Sequence, residues 1–295
     1  MPDLPRVIWA ADLLKEPEPD HNWKVPGLLE AGDRVIVTGN EGEGKSTYLR
    51  QTAVQTASGI HPVTYQPMPP IRTLLIDLEN SREQIKTELD KICQNAGIPC
   101  PGEPNLLVGN FDAGLDLLGS DWAEIDKVLH DFKPDLVIGG PMYKMLEASL
   151  AEEESSSRLR AVLDRWRSEL GFALMLEAHQ VQETIAWDSS EKKFKPFRPQ
   201  RPFGSSLWRR WPEFGICIFN DGTIAHWRGQ RQVREWPRRL WRNGKPWLWS
   251  VVPGVCQRCG DTLEGSQEFY CSERCSNAAR QSRFRTKQLN LEDDA

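Results

Sequence analysis

The amino-acid sequence predicts an α/β fold, a mainly parallel sheet with helices on both faces, followed by a small C-terminal zinc-binding module. Three observations carry that expectation. Continuous apolar runs of strand length alternate with stretches whose apolar residues recur at helical spacing, as strands buried on both faces require. One such run leads into Gly39-Asn40-Glu41-Gly42-Glu43-Gly44-Lys45-Ser46-Thr47, which fits the phosphate-loop pattern GxxxxGK[ST]. Near the C-terminus, Cys256, Cys259, Cys271 and Cys275 form a spaced quartet.

In chain order, residues 1–21 read as an N-terminal extension, Pro-rich and acidic. The main domain is expected over 22–245. Trp23 and Val25-Pro26-Gly27-Leu28-Leu29 lead into a first buried strand, Val35-Ile36-Val37, and a helix follows from Ser46 to Ser58. Thr73 to Asp77 is a second apolar strand, and Ser81 to Ala96 a helix that stops near Gly97-Ile98-Pro99. The alternation continues with a strand at 105–108, a helix from Asp121 to Phe132, a strand at 136–138, a helix from Ser156 to Leu170 and a strand from Phe172 to Glu177. Gly215 to Phe219 and Thr223 to Trp227, joined by Asn220-Asp221-Gly222, suit an antiparallel hairpin at the sheet edge. Residues 246–254, with Pro and Gly, are expected to link the domain to a zinc-binding module with a basic helix at 255–289, and 290–295 form an acidic tail.

The phosphate loop is the sharpest chemical signal. Its glycines let successive backbone N–H groups turn onto phosphate oxygens, and the helix N-terminus adds positive potential. Lys45 is expected to reach the β and γ phosphates and the Ser46 hydroxyl to ligate Mg²⁺, so the chain is expected to bind ATP or GTP. Composition bounds the setting: 39% hydrophobic and 27% charged residues suit a globular protein. No apolar run approaches the roughly 20 residues that span a membrane. The N-terminus lacks a basic-then-apolar signal pattern, so the seven cysteines are expected in a reducing cytoplasm.

The net charge of −5 conceals a sign change along the chain, since ten basic residues face three acidic ones between Arg201 and Ser250, a local +7. Such a stretch favours a polyanion. Two long polar stretches, 141–157 and 181–202, follow strand ends, where ligands of open α/β sheets bind. In the second, Lys192, Lys193, Lys195, Arg198 and Arg201 interleave with Phe194 and Phe197. Cations can hold phosphates while rings stack on unpaired bases, a combination suited to single-stranded DNA; a solvated loop would carry the same charges.

With these motifs in place, roughly residues 22–245 resemble RecA-like P-loop ATPases, and more closely the RepA and DnaB-type hexameric helicase ATPases met on plasmids and phages. The resemblance implies a Mg²⁺-dependent ATPase that assembles into a ring or filament on single-stranded DNA, with replication proteins as possible partners. In Ile76-Asp77-Leu78-Glu79-Asn80, Glu79 matches the carboxylate that orients the attacking water, although Asp77, Glu79 or Asn80 could equally begin the next helix. The strand 135–141 matches the Walker B strand, but Gly140 stands where its terminal Asp is expected. Metal binding is then expected to rest on Ser46 with Asp77 or Glu79, or hydrolysis to be weak. His179 and Gln180 match the position that senses the γ phosphate, and a structural His is the plainer alternative. Arg228 and Arg231 match the segment inserted into a neighbouring subunit's site; either could instead meet DNA phosphate or a surface carboxylate.

Cys256-Gln257-Arg258-Cys259 and Cys271-Ser272-Glu273-Arg274-Cys275 give CxxC and CxxxC halves, which together can complete a closed, structural Cys₄ zinc site. The pattern resembles zinc-ribbon or treble-clef modules. Arg280, Arg283, Arg285 and Lys287 follow on an expected helix from Ser276 to Leu289. Three functions remain open from sequence: a DNA motor of helicase type, a nucleotide-gated DNA-binding or loading factor, and a small-molecule kinase or signalling NTPase with an unrelated zinc module.

Overall fold

The apolar runs at 35–39, 73–76, 136–140 and 173–178 are buried throughout, because helices cover the sheet on both sides. The computed structural model describes residues 8–17, 20–181, 184–188, 193–197, 199–229, 234–242, 246–252, 256, 259, 261–263 and 270–278. The described residues open with the one-turn helix α1 (Ala10–Leu13) and the short antiparallel pair β1 (Trp23–Val25) and β2 (Leu29–Glu30). The core then alternates β3 (Arg34–Gly39), α2 (Lys45–Ala57), β4 (Thr73–Asp77), α3 (Arg82–Ala96), β5 (Leu106–Asn110), α4 (Trp122–Phe132), β6 (Leu136–Gly140), α5 (Glu153–Leu170) and β7 (Ala173–His179). After β8 (Thr184–Asp188) and β9 (Lys193–Phe197) come α6 (Leu207–Arg210), β10 (Phe214–Ile218), β11 (Ile224–Arg228), β12 (Trp241–Arg242) and β13 (Trp249–Ser250).

Seven strands form one sheet in the order β11-β10-β3-β7-β6-β4-β5, parallel except for β11, which closes the expected edge hairpin with β10. Strand period 2 divides the apolar residues between two cores. Val35, Val37, Leu75, Ile138 and Met175 pack with α2 and α3 on one face, and Ile36, Leu74, Ile76, Val137 and Leu176 pack with α4, α5, Trp208 and Trp211 on the other. Helix α3 starts on a capping box, Ser81 with Gln84, and ends at Gly97 with φ +68°, as its stop signal requires.

Two stretches differ from expectation. Residues 184–188 and 193–197 pair antiparallel as β8 and β9 where an irregular loop is expected, because Thr184, Ile185 and Trp187 on one strand and Phe194 and Phe197 on the other favour extended backbone. The expected linker is, in its described part 246–252, packed structure: Trp247, Leu248 and Trp249 join the core over α2. Gln51 fixes it, donating to the Trp249 carbonyl at 2.7 Å and accepting the Trp249 N–H at 2.9 Å. Its tryptophans sit in a segment with Pro and Gly, which masks them as core residues in the sequence.

Candidate nucleotide site

The interior strand β3 delivers residues 40–44 to the carboxyl edge of the sheet, and α2 begins at once with Lys45. Gly42 and Gly44 hold φ of +74° and +87°, which turns the loop. A β-carbon at Gly44 would also lie 2.6 Å from the Trp249 ring. From the outside, Trp249 Nε1 donates to the Gly44 carbonyl at 3.1 Å and Arg242 Nη2 to the Gly42 carbonyl at 3.2 Å, with the guanidinium 4.9 Å above the Trp249 ring. Lys45 is buried and donates to the Asn40 carbonyl at 2.7 Å. Glu43 turns its carboxylate back onto the Asn40 backbone N–H, so an anionic oxygen already occupies one of the loop's donors. Gly42, Gly44, Lys45, Ser46 and Thr47 line a cavity of about 520 Å³ with Arg50 and Asn80. Gly39, Asn40 and Glu41 border a second one of about 480 Å³, shared with Tyr143, His179 and Gln180.

Asp77, at the end of β4, is committed to Arg50 of α2, with Nη2 at 2.6 Å and Nε at 3.1 Å. It also accepts the backbone N–H groups of Glu79 and Asn80 at 3.1 and 2.9 Å, and so shapes the turn into α3. Burial would raise its pKa, but Arg50 and Asn80 outweigh burial and hold the carboxyl below the ordinary range. Glu79 is exposed at the rim, where the Tyr143 hydroxyl donates to its Oε1 at 3.1 Å, and the Tyr143 ring lies 5.3 Å from that of His179. Burial, and then the charge of Glu79, push the Tyr143 phenol up. The sequence pairs neither Arg50 with Asp77 nor Tyr143 with Glu79.

Glu177 is the group whose contacts the sequence reading missed. Lying on β7 opposite Val37, it accepts a hydrogen bond from Ser46 Oγ at 3.0 Å, and its Oε1 stands 3.7 Å from Lys45 Nζ. The Lys45 and Glu177 side chains are 4% and 8% exposed. Burial pushes the Glu177 carboxyl up, while Lys45 and Ser46 pull it down. The signal in the sequence is an acid inside an apolar strand run, Ala173-Leu174-Met175-Leu176-Glu177, where a charge needs a partner.

A family model described as an AAA domain matches residues 2–184, more than half of the chain. The chain belongs to this AAA domain family. None of the curated proteins matches it. As an AAA domain it is a nucleotide-binding P-loop ATPase, for which ATP and Mg²⁺ are implied. The residues present fit them, with a buried ammonium, a loop turned by two positive-φ glycines and hard oxygen donors at the start of α2. Lys45 would hold phosphate oxygens and Ser46 would face the metal, which supplies charge neutralisation when bound.

Beyond His179 and Gln180, which border the second cavity, the other candidate residues stand apart from the phosphate loop. Gln180 donates to Cys217 Sγ at 2.9 Å, and His179 accepts the Phe203 N–H at 2.8 Å through its carbonyl. Arg228 sits on the edge strand β11 and donates from Nε to the Pro212 carbonyl; Arg231 lies outside the described residues. Lys193 is exposed on β9, Phe194, Lys195 and Phe197 follow it along the same strand, and Arg201 closes the hairpin by accepting the Val181 N–H at 3.3 Å. Lys192 and Arg198 lie outside the described residues. Cys256, Cys259, Cys271 and Cys275 converge, with all four sulfurs within 4.8 Å of one another. A tetrahedral zinc with Zn–S of about 2.3 Å places its sulfurs about 3.8 Å apart. The separations of 3.4, 3.7 and 3.8 Å among Cys259, Cys271 and Cys275 suit that geometry, so the cluster could hold zinc. Residues 273–278 are helical, and the remainder of the expected basic helix and the acidic tail lie outside the described residues. Among the described residues no helix is long and apolar enough to cross a membrane.

Proposed function

We propose that this AAA domain is a Mg²⁺-dependent, DNA-associated motor of helicase type, working in the cytoplasm on single-stranded DNA within a ring or filament of its own copies, alongside replication proteins. The observation that carries the reading is the junction at the end of β7. His179 and Gln180 border the cavity beside the phosphate loop, and the β8–β9 pair, with its basic residues, is the next paired element along the chain. Its base is pinned by the Gln180–Pro202 bridge and the Phe203 N–H bond to the His179 carbonyl. A shift of His179 on loss of the γ phosphate therefore moves the base of the hairpin. In this reading Glu79, steadied by the Tyr143 hydroxyl, orients the attacking water, and Arg228 and Arg231 serve a neighbouring copy's site.

Steady-state hydrolysis of ATP, with and without single-stranded DNA, tests this. DNA is expected to stimulate turnover, and Lys45→Ala and Glu79→Gln each to lose about 10²–10⁴-fold. Tight nucleotide binding without turnover in any condition would sink the motor. It would favour a nucleotide-gated DNA-binding or loading factor, for which Gly140, in place of a metal-binding carboxylate, speaks. The proposed zinc is structural. Purified protein is expected to carry one zinc per chain, and Cys271→Ser to lose both the metal and the protease resistance of the region from Cys256 to Cys275, with ATP binding retained.

A further inference from the structure

Gly140 ends β6 opposite Asp77, where the resemblance leads one to expect a metal-binding Asp. The carboxylates first in line to replace it are engaged elsewhere: Asp77 with Arg50, Glu43 with Asn40, and Glu79 at the rim with Tyr143. Glu177, from the adjacent strand, meets the Ser46 hydroxyl at 3.0 Å, on the first turn of α2. It reaches that place because position 140 has no side chain. A β-carbon on Gly140 would fall 2.5 Å from Glu177 Cβ and 3.0 Å from its backbone N, at a φ of +154° that L residues rarely adopt.

We propose that Glu177 is the carboxylate that secures Mg²⁺ at the nucleotide site, doing from β7 what a residue at 140 cannot. The proposal rests on the Mg²⁺–nucleotide reading of the phosphate loop. A serine hydroxyl that lends a lone pair to a cation keeps its proton, and that proton needs an acceptor; Glu177 Oε1 is the acceptor in place. Mg²⁺ retains several waters, which are hydrogen-bond donors, and a carboxylate has a second oxygen with which to receive one. The contact with Lys45 Nζ at 3.7 Å orders the two cations' work, because phosphate can draw the ammonium away while the carboxylate stays with the metal.

The test uses the full chain, ADP and Mn²⁺ as a magnetic probe of the Mg²⁺ site. Mn²⁺ affinity of the ADP complex, read by electron paramagnetic resonance, is expected to fall about 10–100-fold in Glu177→Gln. Affinity for a fluorescent ADP analogue in EDTA is expected to stay within about threefold, since it depends on Lys45 and the loop N–H groups. That second measurement also reports folding, which the isosteric amide preserves. An unchanged Mn²⁺ affinity in Glu177→Gln would overturn the role of Glu177 while leaving the ATPase reading intact. Failure of the unmodified chain to bind the analogue with or without metal would overturn the ATPase reading, and the proposal with it.

Discussion

Asp77→Ala is expected to destabilise the protein by about 3–5 kcal/mol, because it strands the buried Arg50 guanidinium without its counter-charge. The same substitution removes the acceptor of the Glu79 and Asn80 N–H groups and frees the turn that presents Glu79. Denaturant unfolding measures the loss. An Arg50→Met/Asp77→Leu double variant should recover most of it, since replacing a buried ion pair with apolar residues of similar volume is close to neutral. The pH dependence has a definite sign. The folded-state pKa of Asp77 lies below its ordinary value near 4, so its contribution is complete above that value and disappears as pH falls through the lowered one. A stability loss below about 1 kcal/mol in Asp77→Ala would sink the assignment of Asp77 to this pair and return it to the list of metal ligands.

Trp249→Ala is expected to cost a comparable amount, about 3–5 kcal/mol for a buried Trp, and to weaken nucleotide binding as well. Its ring fills the space behind Gly44, its Nε1 holds the Gly44 carbonyl, and its backbone is gripped by Gln51. The matching truncation is stronger. A chain ended at residue 245 removes Trp247, Leu248 and Trp249 from the core over α2 and is expected to be insoluble or to unfold at markedly lower denaturant. Urea midpoints of the truncated and full chains decide it, and equal midpoints would mean that this strap contributes nothing.

The parallel sheet, the phosphate loop and the edge hairpin were legible because each is written locally: unbroken apolar runs, fixed glycine spacing, and Asn220-Asp221-Gly222 between two strands. What was not legible depends on which strands become neighbours. The contact between Glu177 and Ser46 joins residues 131 apart, and it exists because β7 inserts between β3 and β6. Arg50 with Asp77 is likewise a product of α2 crossing the end of β4. The strap over α2 was hidden for another reason: Trp247 lies outside any strand and Trp249 in a two-residue one, too short for any periodicity to register.

Gly140 and Glu177 also constrain the order in which this site can change. Writing an aspartate at 140 first brings two β-carbons within 2.5 Å, and writing a small residue at 177 first leaves the site with neither carboxylate. Neither single step leads through a working intermediate, so the two arrangements are separated peaks rather than ends of a slope. Gly140→Asp should therefore be harmful in this background, and Glu177→Ala should not rescue it, because alanine keeps the β-carbon and the backbone N that a side chain at 140 would meet; two single variants and one double variant would expose this.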